Sequence, residues 1–134
     1  MKGELSKEMV EAVVETMPIE ISVVDMNDCV VAWNKHVTRI FKRPEAVIGR
    51  NVRDCHPKKS VDKVITILAE MKAGKRDKAR FWIDLGDGDA KRKVMIEYYA
   101  LRSPEGKYMG CLEASQDITG IVTIEGQKRI LDRE

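Results

Sequence analysis

Three runs of alternating, β-favouring residues lie close together in the C-terminal half, at 79–85, 93–102 and 107–116. Two clusters of turn residues separate them, Gly86-Asp87-Gly88-Asp89 and Ser103-Pro104-Glu105-Gly106. Connections this short join only antiparallel neighbours, because a parallel crossover needs a dozen or more residues. A second pair of short runs stands near the start. Residues 19–24 and 29–33 flank Asp25-Met26-Asn27-Asp28, which is hairpin chemistry. The chain therefore reads as five antiparallel strands.

Two helices complete the pattern. Leu5, Met9, Val10, Val13, Val14 and Met17 fall at helical spacing between acids, with Ser6 placed to cap and Pro18 to stop. Val61, Val64, Ile65, Leu68 and Met71 form one apolar face of a longer helix, with Pro57 at its start and Gly74 at its exit. Residues 34–56 read as short turns and loops. Ile121, Ile124, Ile130 and Leu131 suggest a short helical tail. The expected architecture is α+β: a five-stranded antiparallel sheet with helices packed on one face, an amphipathic N-terminal helix and a short C-terminal helical tail. The expected division is a flanking helix at 1–17, a domain at 18–119 and a tail or linker at 120–134.

Composition narrows the class. With 134 residues, 43% hydrophobic and 34% charged, the chain has apolar material for one modest core and does not read as disordered. No apolar run approaches the ~20 residues of a spanning helix, and four acids in the first fifteen residues argue against a secretory signal. Cys29, Cys55 and Cys111 are too widely spaced for a metal knuckle and too odd in number for a disulfide framework, so a cytoplasmic setting is expected. Net charge is +2 but uneven: −5 over residues 1–28, +9 over 35–80 and −2 over 81–134. The basic run from Lys72 to Arg80 has no interleaved aromatic for base stacking, which argues against nucleic acid as the partner.

The order of elements resembles the PAS domain, a small sensory fold. Ile19 to Asn34 looks like its opening hairpin, ending in Asn. Val47-Ile48-Gly49-Arg50-Asn51-Val52 looks like its step before the long helix, and Asp117-Ile118-Thr119 like its exit motif. Cys55 to Ile83, opening on Cys-His-Pro, is similar to C-terminal PAS modules of prokaryotic proteins that also carry a hemerythrin-like domain. The resemblance implies a pocket between sheet and helices. His56, Cys55, Trp33, Trp82 and Tyr98 are its candidate lining residues. If haem binds, His56 is the expected axial ligand and His36 the reserve.

Each candidate has a plainer reading. The plainer reading makes His56 a cap of the long helix, its ring nitrogen accepting a backbone N–H. Both Trp residues suit packing. Gly49 to Arg53 resembles a flavin photosensor motif, but Val52 stands where the adduct-forming Cys would be, so flavin is less favoured than haem. Asp84, Asp87 and Asp89 suit a turn rather than calcium, since the twelfth position from Asp84 is Met95. Glu97 and Glu113 on neighbouring strands suggest either an acid pair or separate partners among Arg and Lys. No Gly-x-Ser-x-Gly, Walker loop or dinucleotide fingerprint is present, so an enzyme is not expected. The expected function is a sensory module that binds a small molecule and signals through a homodimer or a downstream partner. One alternative is a ligand-free interaction module, and another a haem-based gas or redox sensor.

Overall fold

A computed structural model describes residues 1–35 and 40–132. Helix α1 spans Lys7–Thr16, strand β1 Glu20–Asp25, strand β2 Val30–Trp33, helix α2 Lys58–Lys72, strand β3 Lys78–Leu85, strand β4 Arg92–Arg102 and strand β5 Tyr108–Asp117. The five strands form one antiparallel sheet in the order β2-β1-β5-β4-β3. The N-terminal hairpin therefore sits beside the last strand, so β1 and β5 are neighbours inside the sheet.

Local chemistry explains the elements. Ser6 caps α1 by accepting from Met9 N at 3.1 Å. Helix α2 leaves through a glycine: Gly74 adopts φ 74°, Lys75 N donates to Glu70 O at 2.9 Å, and Gly74 N donates to Met71 O at 3.1 Å. Gly110 meets a different demand. A Cβ there would collide with the Val24 carbonyl oxygen of the neighbouring strand.

The core lies between α2 and one face of the sheet. Val64, Leu68 and Met71 of α2 pack against Val94, Ile96 and Tyr98 of β4 and Cys111 of β5. Val61 and Ile65 of the expected face are only partly buried. Register assigns the faces, since directly paired residues share a side. Ser22, Glu113, Tyr98 and Ala79 stand in one row on the core side, while Glu97 and Arg80 stand on the other.

Asp117-Ile118-Thr119 hooks the chain's exit onto β4. Ile118 N donates to Lys93 O at 2.9 Å, and Lys93 N donates to Thr119 Oγ1 at 2.9 Å. Beyond it the expected helical tail is absent among the described residues. Residues 118–124 make a few turn bonds, and Ile124, Ile130 and Leu131 are exposed. With no surface to cover its apolar side, a tail of this length gains too little to stay helical.

Candidate functional site

A small cavity of about 30 Å³ lies between α2 and the sheet. Aliphatic side chains form much of its wall: Val24, Val30, Val52, Val64 and Leu68. Its polar side is already bonded. Arg43 Nε donates to Ser22 Oγ at 3.0 Å, and Arg43 Nη2 lies 3.3 Å from Glu113 Oε1. Both charged side chains are mostly buried, at 14% and 17% exposure, so each depends on the other. Tyr98 stands beside Glu113, and burial together with that carboxylate pushes its phenol well above the ordinary range. Burial first, then Glu113, pushes the Cys111 thiol up to about 12, so it stays protonated and unreactive at neutral pH.

The predicted site residues separate here. His56 and Tyr98 line the cavity. His56 is not a helix cap: the residue before α2 is Pro57, and His56 Nδ1 lies 2.9 Å from Val52 O, to which the ring N–H donates. Cys55 is half-buried with its thiol 3.5 Å from Asn51 O, outside the cavity lining. Trp33 is partly buried beside Ser22 in register, yet does not line the cavity. Trp82 is on the opposite face of the sheet and 63% exposed, because it shares the side of Arg80 rather than that of Phe81. His36 lies outside the described residues. Glu97 and Glu113 occupy opposite faces. Glu97 binds Arg80 at 2.8 Å and Tyr99 at 2.6 Å, and Glu113 binds Arg43.

The fit of a cofactor follows from the volume. About 30 Å³ holds a water or two. Haem and the flavin ring system are many times larger than this cavity, whose wall includes the bonded Arg43–Glu113 pair, so at this volume it does not accommodate haem. Among the described residues, no three His, Cys, Asp or Glu side chains gather as a metal set.

Three buried polar groups connect this core to the rest of the molecule; the sequence placed Asp28 in the hairpin turn and Asn34 at its end, but marked none of the three as a buried tie. Asn34, fully buried, joins α1 to the hairpin: its Nδ2 donates to Val14 O at 3.2 Å and Ile19 O at 2.8 Å, and its Oδ1 accepts from Ile21 N at 2.9 Å. Asp28, in the left-handed conformation at φ 64°, lies 2.7 Å from Lys72 Nζ and 3.4 Å from Arg53 Nη1, tying the hairpin to both ends of the helical region. Glu20 accepts from the backbone N–H groups of Ile40 and Phe41. Alternation along residues 19–23 assigns Ile21 and Val23 to the core and Glu20 and Ser22 to the outside, whereas the sheet turns Glu20 and Ser22 inward, so no local signal marks them.

Helix α1 is anchored but not packed. It contains no buried residue, and Met9, Val10 and Val13 are 52%, 44% and 42% exposed. Its ties to the domain include Asn34 and a bond from Lys35 N to Glu15 Oε2 at 3.0 Å.

The sequence profile of the PAS domain family matches residues 10–119. No curated protein matches the chain significantly. Among solved structures, the C-terminal domain of a Streptococcus mutans protein is similar at 32% identity and a TM-score of 0.83, with 93% of this chain and 94% of that one covered. The PAS domain of a Colwellia psychrerythraea protein is 16% identical with a TM-score of 0.61, covering 84% of this chain and 97% of that one. A sensory box sensor histidine kinase from Vibrio cholerae is 14% identical with a TM-score of 0.57, covering 84% and 90%. At these lower identities the likeness is one of fold.

Proposed function

This chain belongs to the PAS domain family, and from that premise we propose that it is a signalling module that works through protein contacts made by α1. PAS domains are in general sensory, non-catalytic modules. The observation that carries the reading is the state of α1: an amphipathic helix with no buried residue, tied by Asn34 to the strand pair β1–β2. Its exposed Met9, Val10 and Val13 stripe is suited to a second copy of this chain or to a signalling partner. Light scattering tests it. A dimer at tens of micromolar that Val13→Glu converts to monomer supports the helix as the contact. A monomer throughout, or a dimer indifferent to Val13→Glu, rejects self-association through α1.

A second reading is favoured by the Ser22–Arg43–Glu113 cluster on the cavity wall. A compact polar molecule that displaced Arg43 from Ser22 would act on β1 one residue from Ile21, whose N–H holds Asn34. That gives a short path from cavity to α1, and the ligand's preference for one arrangement would set the population of the other. Amide NMR of the chain against small polar molecules tests it. Coupled shifts at Ser22, Glu113 and residues 13–17 support the reading, and shifts confined to the surface reject it.

A further inference from the structure

The two edges of the sheet are treated differently. On the β2 side, the loop at 49–52 covers the start of the edge, at Asp28 to Val30: Val30 N donates to Arg50 O at 2.8 Å, Gly49 N to Val30 O at 2.7 Å and Val52 N to Asp28 O at 2.8 Å. On the other side, β3 pairs with β4 alone among the described residues, over an unbroken register from Lys78 to Leu85. It has no proline, no bulge and no charge on its core-facing side, which is Ala79, Phe81, Ile83 and Leu85; its charges, Lys78, Arg80 and Asp84, all stand on the outer side and are of mixed sign. Natural edge strands are usually blunted by such devices.

The direction of the free groups follows from one bond. Ala100 N donates to Asp77 O at 2.8 Å, so Asp77 and Ala100 form a hydrogen-bonded pair just before β3 begins. Hydrogen-bonded and open pairs alternate along an antiparallel ladder. Lys78, Arg80, Trp82 and Asp84 therefore turn their N–H and C=O groups outward, away from β4. Arg76 Nη1 reaches the Lys78 carbonyl at 3.4 Å, as an outward carbonyl allows.

We propose that the free edge of β3 pairs antiparallel with β3 of a second copy of this chain, centred on Phe81. The strand's own sequence argues for that occupant. Centred there, outward-facing Arg80 and Trp82 become hydrogen-bonding partners across the two-fold axis, as do Lys78 and Asp84. Opposite charges meet on the outer face at both ends, and each Arg80 guanidinium lies beside the other copy's Trp82 indole, a favourable cation–π pair. On the core-facing side Phe81 meets Phe81 and Ala79 meets Ile83. Trp82 and Phe81, 63% and 37% exposed in the single chain, become covered. Arg80 is held flat on this face by Glu97, bonded through Nε at 2.9 Å and Nη2 at 2.8 Å. Asp84 already binds Lys93 at 2.9 Å, so Lys78 joins a cluster and the end pairs add little energy. Shifting the centre to Arg80 would oppose two guanidinium groups and is disfavoured.

The contact uses no residue of α1. Sedimentation velocity on the full chain, over a series reaching about 1 mM, covers a contact worth only about 4 kcal/mol. Val13→Glu is used as background so that α1 does not contribute. Trp82→Pro removes an outward N–H without touching the β4 ladder, and the exposed Lys78→Glu opposes two acids at each end. Circular dichroism checks that both remain folded. The expected result is a dimer in the Val13→Glu background that Trp82→Pro abolishes and Lys78→Glu weakens roughly tenfold. No dimer in that background, or one unchanged by Trp82→Pro, overturns the proposal. Loss in Trp82→Pro with indifference to Lys78→Glu overturns the register centred on Phe81.

Discussion

Replacing Asn34 by alanine is expected to be the most revealing single change in the molecule. The side chain is fully buried and, among the described residues, bonds to Val14 O, Ile19 O and Ile21 N of the backbone. Each net contribution is about 1 kcal/mol, and alanine takes the amide away from the Ile21 N–H and two carbonyls in an enclosed place. The summed cost is about 3–4 kcal/mol, a large part of the roughly 5–15 kcal/mol that holds a domain together. Urea denaturation should show the midpoint fall with little change in slope, and the melting temperature should drop by roughly 11–14 °C for a chain this long. Hydrogen exchange adds the functional half: amides at 13–17 in α1 should exchange faster, because the tie from Val14 is gone. Asn34→Asp keeps the acceptor for Ile21 N but turns a carboxylate toward two carbonyls, so it should be at least as damaging as alanine. A loss below about 1 kcal/mol in Asn34→Ala, or unchanged exchange in α1, would refute the account of Asn34 as the joint.

Other expectations rest on single groups. Arg43→Met should cost about 3–5 kcal/mol by leaving Glu113 buried and unpaired, while Arg43→Met with Glu113→Leu should cost clearly less than the two singles together; additive costs in denaturant melts would disprove the pair's interdependence. Tyr108→Phe should be neutral or slightly stabilising, since the buried Tyr108 hydroxyl has no partner among the described residues, and a loss above about 1 kcal/mol would show a bonded water there. Thiol alkylation at pH 8, followed by mass spectrometry, should modify the half-buried Cys29 and Cys55 well before Cys111, whose thiol is pushed up to about 12. Asp117 is held below its ordinary 3.8 by the Thr119 hydroxyl and then by the Thr119 N–H. A depressed carboxylate stabilises above its unfolded value, so the exit hook should be firm at neutral pH and loosen only as pH falls below about 3.8. Amide shifts of Thr119 that move instead between pH 5 and 7 would contradict this.

The strands were legible because alternation and turn residues are local signals. The helix faces were legible for the same reason, and Ser6, Gly74 and Pro18 marked ends within a residue or two of where they fall. The site was much less so. Arg43 and Glu113 are separated by 70 positions, and no periodicity marks such a pair. Trp82 went to the wrong face because Phe81 and Trp82 are adjacent: one of two neighbouring aromatics must point outward, and composition does not say which. His56 invited a cap because it precedes Pro57, but its ring turns back to the Val52 carbonyl instead. The tail misled in the opposite way, since apolar spacing without a surface to cover does not make a helix.

The buried polar groups share one property that bears on signalling. Asn34 ties α1 to the hairpin, Asp28 ties the hairpin to Lys72 at the end of α2, and Arg43 ties the segment before α2 to Ser22 and Glu113 of the sheet. Each joins elements that hydrophobic packing alone would let slide. Apolar contacts are tolerant of small displacements, whereas a buried charge or amide is either paired or costly. Helix α1 therefore has few intermediate positions: with Val14 O bonded to Asn34 and Glu15 to Lys35 N it is held to the domain, and with those bonds broken it has no buried side chain to retain it. On the proposed reading, a helix held by hydrogen bonds rather than by packing can be released for a few kcal/mol.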